Sequence, residues 1–247
     1  MIITVSNQKG GTGKSTTAAA IATGAAYKGK KTLVIDLDPQ SNLSFIMGAN
    51  PLDVGAYELM AQDGTPAQLI QHTPQGDVIA GSLNLAGADT ILKGDARIYA
   101  LQRAIRPLKS RYDVIVIDTP PTLGTLLINA LAAADKVIIP LQADILSLQG
   151  LYQLAQTIRK AQSDYNKGLT IAGILYTRHS SRTLIARDII DTMGKKAAEL
   201  KIPVLKTTIR DGVAVREAQT LRQSLFEYAP KSKPARDYLD LLDEIGL

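Results

Sequence analysis

The stretch "SNQKGGTGKSTTAAAIATGAAYKGKKTLVIDLDP", residues 6–39, decides the fold. "IITVSNQ" before it reads as a strand, "KGGTG" as a turn and "KSTTAAAIATGAAY" as an alanine-rich helix, the context in which a phosphate-binding loop works. Gly10, Gly11 and Gly13, with Thr12 between them, allow the backbone to turn its N–H groups inward, and a helix N-terminus adds about half a unit of positive charge. Lys14 is expected at the β- and γ-phosphates, the Ser15 hydroxyl at a Mg²⁺ ion, and Thr16 at the α-phosphate. A second lysine, Lys9, stands at the front of the same loop and needs its own explanation.

The strict pattern G-x-x-x-x-G-K-[ST] asks for glycine where this chain has Gln8, although "GTGKST" is intact. A dinucleotide-binding reading would take Gly11 and Gly13 as the first two glycines of G-x-G-x-x-G, with Asp36 as the ribose acid. Thr16 then stands in place of the third glycine, and Lys14 suits a triphosphate better.

Outward from this stretch, short β-type runs recur at 2–6, 31–36, 77–80, 113–118, 136–141, 170–176 and 204–209. Several are continuous apolar runs such as "VIVI", as expected of strands covered on both faces, which predicts a parallel sheet. Between them Ile145, Leu148, Leu151, Ala155 and Ile158 share one helical face, as do Ile185, Ile189, Met193, Ala197 and Leu200. No repeat or linker breaks the chain. The expected architecture is one α/β domain, a doubly wound, mostly parallel β-sheet flanked by helices; residues 48–95 are the least legible.

Composition narrows the chemistry. The absence of cysteine excludes disulfides, thiolate zinc sites and cysteine-held clusters, and two histidines make a histidine metal site a poor prospect. Aromatic residues are 4% of the chain, too few for base-stacking nucleic-acid modules. No apolar run reaches the roughly 18–20 residues that span a bilayer, and the first strand starts at residue 2, so a cytoplasmic protein without a signal peptide is expected. The net charge of +5 lies wholly in residues 151–247, with 16 basic and 11 acidic residues, whereas residues 1–150 balance at 12 each. Ten basic residues fall between positions 178 and 222 against five acidic ones, a surface suited to a polyanion.

"KGGTGKST" resembles the deviant phosphate-loop box of the ParA/MinD ATPases. "VIDLDPQSNLS", "VIVIDTPPTLGTLLINAL" and "VIIPLQADILSLQGL" follow in the order and spacing of the ParA/Soj partition branch, and the resemblance runs nearly the whole chain. It implies that Lys9 reaches across a two-fold interface to the ATP held by a second copy, so the ATP-bound state is a homodimer. It implies that Asp38 positions the attacking water, with Lys9 and Lys14 serving the same reaction, and that Asp36 and Asp118 join Ser15 around Mg²⁺. Thr177 and Arg178 on one strand end, and Ile209, Arg210 and Asp211 on the next, are expected over the adenine; there the branch commonly has Pro-Arg-Asn where this chain has Arg210, Asp211 and Gly212.

The same resemblance implies non-specific double-stranded DNA binding by a face completed on pairing, for which Arg187, Lys195, Lys196, Arg216 and Arg222 are the candidates, on the nucleoid and with a ParB-like centromere-binding adaptor. With the first strand at residue 2, no N-terminal helix-turn-helix domain is expected. In "PARDYLDLLDEIGL" an apolar stripe of Tyr238, Leu241, Leu242 and Ile245 is flanked by Asp237, Asp240, Asp243 and Glu244, an acidic face unsuited to an anionic membrane. A packed terminal helix is expected, which disfavours a MinD-like membrane shuttle; an ATP-switched adaptor that positions a protein cargo or division component is the alternative reading. A small-molecule ligase resembling dethiobiotin synthetase is a third reading, opposed by the "DLDPQ" and "IDTPP" boxes.

Overall fold

The computed structural model describes residues 1–62, 65–92, 95–144, 147–179 and 184–247; side chains are described except at 91, 95, 96, 147–149 and 184–187. In chain order the elements are β1 (Ile2–Val5), α1 (Lys14–Tyr27), β2 (Thr32–Asp36), α2 (Asn42–Met47), α3 (Ala56–Ala61), β3 (Gln71–Thr73), β4 (Gly76–Ile79), α4 (Ala88–Ile91) and α5 (Ala100–Ala104). They continue as β5 (Val114–Asp118), α6 (Thr125–Ala133), β6 (Lys136–Leu141), α7 (Ser147–Asp164), β7 (Thr170–His179), α8 (Leu184–Glu199), β8 (Val204–Arg210), α9 (Val213–Thr220), α10 (Leu225–Tyr228) and α11 (Lys233–Ile245).

The strands form one sheet in the order β3-β4-β2-β5-β1-β6-β7-β8. Every neighbouring pair is parallel except β3 with β4. All seven runs marked in the sequence are strands. The eighth, β3, is a polar Gln-His-Thr edge strand closed on β4 by a short hairpin.

Side chains alternate between two cores. Leu33, Ile35, Ile115 and Ile117 face one core with Leu59, Leu101, Leu127, Leu154 and Met193. Val34, Val116, Ile3 and Val5 face the other with Ile21, Leu43, Phe226, Leu241 and Leu242. Burying each such side chain contributes roughly 1.5–3 kcal/mol, which explains why the central strands read as unbroken apolar runs. On the expected α7 and α8 faces, Leu151, Ala155, Ile158, Met193, Ala197 and Leu200 are buried; Ile145 lies outside the described residues, as do the side chains of Leu148 and Ile185.

α11 docks as expected. Tyr238, Leu241, Leu242 and Ile245 are buried, but Asp237, read as part of the solvated flank, is buried too, where it holds Arg210. α1 approaches α10 and α11 so closely at Gly24 that a Cβ there would stand 2.8 Å from Leu242 Cδ1 and Phe226 Cζ.

Register then builds the site. Val5 on β1 and Asp36 on β2 both lie opposite Asp118 on β5, so three adjacent strands end at one level, where the loops after them converge. In a parallel sheet this carboxyl edge is where ligands bind.

Candidate functional site

The loop between β1 and α1 turns at Gly11 (φ +76°) and Gly13 (φ +88°), left-handed conformations that glycine adopts without steric cost. Neighbouring strands hold it in place: Gln142 Nε2 donates to Gly11 O at 2.8 Å, and Thr177 Oγ1 donates to Thr12 O at 2.8 Å. α1 starts at Lys14 without a side-chain cap, so its first N–H groups remain available to an anion. Lys14 is buried, and burial lowers its pKa while Asp118 and Asp38 oppose that shift; its ammonium reaches Lys9 O at 3.4 Å. A buried cation between two acids and a ring of N–H groups is matched to phosphate oxygens.

Three aspartates face this loop in different ways. Asp118 is fully buried; its Oδ1 accepts from Thr119 N at 3.1 Å, while Oδ2 has no hydrogen-bond partner. Burial first, and the neighbouring Asp36 second, push its carboxyl well above the usual range, an effect that the nearby Ser15 hydroxyl and Lys14 oppose. A buried carboxylate oxygen with no donor is costly unless a cation or its water completes it, and the residues fit Mg²⁺, which takes one or two protein ligands and otherwise phosphate and water.

Asp36 is placed otherwise. Its Oδ1 accepts from Asp38 N at 3.0 Å and its Oδ2 accepts from Ser44 N at 2.8 Å and Ser44 Oγ at 2.7 Å. Both oxygens accept from protein donors, which tie the carboxylate to the backbone of Asp38 and to α2, and a metal or its water would use their remaining lone pairs. Burial raises the Asp36 pKa to about 6. Asp38 is itself buried at the cleft wall, with Oδ1 accepting from Gln40 N at 3.0 Å.

Lys9 lies on the rim. Its Nζ bonds Asp144 Oδ1 at 2.7 Å, with both side chains about one-third exposed (36% and 32%). The Asn7 side chain fixes this turn, accepting from Lys9 N at 3.0 Å and donating to Pro140 O at 2.6 Å. The two lysines of one box thus point to different places, Lys14 inward and Lys9 to the edge.

Beyond the loop lies a cleft of about 610 Å³. Gly10, Gly11, Gly13, Lys14, Ser15 and Thr16 form its floor; α2 contributes Asn42, Phe45 and Ile46, and α9 contributes Arg216, Gln219 and Thr220. Of the expected adenine residues, Arg178 lines the cleft and Thr177 braces the loop. The other three do not. Ile209 is buried in the core, Arg210 pairs with Asp237 through Nε and its backbone N–H, and Asp211 faces Arg216 at 3.4 Å. A buried carboxylate on α11 holds the Arg210 side chain. Sequence reasoning missed Phe45 and Ile46 of α2 and Gln219 and Thr220 of α9 as cleft residues, since they lie outside the quoted boxes.

The candidate DNA residues fall on two elements. Lys195 is exposed on α8, where Lys196 pairs with Glu199 at 2.7 Å. Arg216 is exposed on α9 and lines the cleft, and Arg222, just past α9, sits over the Phe45 ring at 4.3 Å. The Arg187 side chain lies outside the described residues.

A family profile described as an AAA domain (AAA_31) matches residues 1–171. The sporulation initiation inhibitor protein Soj of Bacillus subtilis is 38% identical over 99% of this chain and 98% of its own. Cobyrinic acid a,c-diamide synthase from Mycobacterium smegmatis, solved with a bound ATP analog and magnesium, superposes with a TM-score of 0.88 at 34% identity, covering 98% of this chain and 92% of that one. A putative plasmid partition protein of Borrelia burgdorferi bound to AMPPNP gives a TM-score of 0.82 at 25% identity over 98% and 97% of the two chains. With its phosphate loop, its strand-end aspartates and its rim lysine in place, the chain belongs to the Soj/ParA family of partition ATPases, on the deviant phosphate-loop branch of the P-loop fold.

Proposed function

We propose that this chain is a Mg²⁺-dependent ATPase, one ATPase unit over its length, whose two copies close around two ATP molecules and bind DNA non-specifically in that paired state. Hydrolysis to ADP and phosphate resets it, accelerated by a ParB-like adaptor. Ser15, Asp36 and Asp118 would hold the ion, which would neutralise charge building on the transferred phosphoryl group. Lys14 holds the β- and γ-oxygens from within the protomer, Asp38 orients the attacking water, and Lys9 meets the phosphates of the partner copy. The observation that carries this reading is the divergence of the two lysines: Lys14 is buried in its own loop, whereas Lys9 stands at the rim in a partly exposed ion pair that a stronger anion can replace.

The DNA surface is proposed on Lys195, Lys196, Arg216, Arg222 and Arg187, acting through phosphate contacts. No helix among the described residues is long and apolar enough to cross a membrane, and the apolar stripe of α11 is buried, so we place the protein in the cytoplasm on the nucleoid rather than on a membrane. Retention of duplex DNA with MgATP, with MgADP and without nucleotide, across a salt series, tests the reading. Retention with MgATP alone, falling steeply with salt, is expected; equal retention without nucleotide contradicts it.

The likeness to a protein named as a diamide synthase favours one second reading, ATP-dependent activation of a small acid. Turnover that depends on such an acid and is indifferent to DNA and adaptor would select it.

A further inference from the structure

α9 crosses the mouth of the nucleotide cleft and is fixed at three points. Before its start, Arg210 N and Nε each donate to Asp237 Oδ2 on α11 at 2.9 Å. Past its end, the Arg222 guanidinium lies 4.3 Å from the Phe45 ring centroid on α2. Between these, Gln219 Nε2 donates to Thr16 Oγ1 at 2.8 Å, 203 residues away in sequence. Gln219 and Thr16 both line the cleft. The next residue of α1, Thr17, is fully buried, and its hydroxyl is 3.4 Å from the buried Tyr238 OH of α11.

A threonine hydroxyl has one proton and two lone pairs. When the Gln219 amide donates to Oγ1, it occupies a lone pair and leaves the proton free to point elsewhere. The open direction is the cleft floor, where the phosphate nearest α1 would sit. We propose that Gln219 is a positioning residue for nucleotide binding, acting through Thr16 by orienting its hydroxyl proton toward the α-phosphate. The proposal rests on the nucleotide reading above. The α-phosphate is common to ATP and ADP, so Gln219 strengthens both equally and leaves their discrimination to groups at the γ-phosphate. Because the α-phosphate gains no charge during hydrolysis, the residue contributes to binding and not to the chemical step.

The test compares Gln219→Ala, Gln219→Glu, Thr16→Val and the double variants by titration with MgATP and MgADP, together with KM and kcat for hydrolysis. Gln219→Ala should weaken both nucleotides by about fivefold, the scale of one neutral hydrogen bond, with kcat unchanged. Gln219→Glu has the same shape but can only accept, so it draws the Thr16 proton away from the phosphate and should bind more weakly than Gln219→Ala. In the Thr16→Val background, Gln219→Ala should cost nothing further, and Gln219→Glu should cost only its added charge. A residue that merely packs would instead make the isosteric glutamate milder than alanine and keep its effect in both backgrounds; that pattern, or wild-type affinity in Gln219→Ala, overturns the proposal. Failure of the wild-type protein to bind either nucleotide would overturn the nucleotide reading itself, an outcome separate from these.

Discussion

Asp118 has its Oδ2 buried without a donor, and Asp36, in the neighbouring strand register, is fully buried beside it. Burial raises the Asp36 pKa from 3.8 to about 6, so the folded protein binds that proton more tightly than the unfolded chain does. The sign follows: below about pH 4 the folded state carries no penalty, and between pH 4 and 6 stability falls as pH rises, by roughly 3 kcal/mol at full effect. Denaturant midpoints of the nucleotide-free protein across that window should show the decline, and a rise instead would contradict it. Asp118→Asn keeps an acceptor for Thr119 N and places an amide where Oδ2 faces no donor. It should raise the nucleotide-free unfolding midpoint at neutral pH while losing Mg²⁺-dependent ATP hydrolysis, a trade of stability for function. The ion pair of Lys9 with Asp144 is partly exposed and worth about 0–1 kcal/mol. Asp144→Asn should therefore ease ATP-driven pairing by no more than about fivefold in the half-pairing concentration, measured by sedimentation.

At the scale of elements, what was legible had short-range causes. The central strands could be read because β1, β2 and β5 are buried on both faces, and α1 because its glycine turn and alanine run declare a strand–loop–helix unit. β3 was not legible: its three residues are polar, and only its pairing with β4 makes it a strand. At the end of β8, Arg210 is held by Asp237, 27 residues onward, a contact that no local pattern announces. The bond from Ser44, on α2, to the Asp36 carboxylate was equally silent in sequence. A close helix contact was also silent in sequence. Gly24 reads as an imperfection in an alanine helix, yet it is where α1 meets Leu242 and Phe226. Gly24→Val should overpack that contact and cost about 1–3 kcal/mol in spite of better helix propensity, measured by denaturant unfolding; a neutral or stabilising result would mean that α10 and α11 can move aside.

Across the whole molecule, the carboxyl edge of one mostly parallel sheet gathers the glycine loop, Lys14 and three aspartates, while the C-terminal third supplies both a wall of the nucleotide cleft and the excess positive charge. α9 belongs to both, since Arg216 and Gln219 line the cleft and Arg222 follows on the same segment. Asp38→Ala should therefore hold the paired, DNA-retaining state for longer than wild type after MgATP is added, read as slower release from DNA. The central claim, that Lys9 serves the nucleotide of a partner copy, is tested most directly by weighing wild type and Lys9→Ala in solution with a non-hydrolysable ATP analogue and Mg²⁺, alongside a titration of nucleotide affinity. Wild type should double in mass, whereas Lys9→Ala should bind the analogue and remain a single chain. A Lys9→Ala protein that doubles as readily as wild type would contradict it.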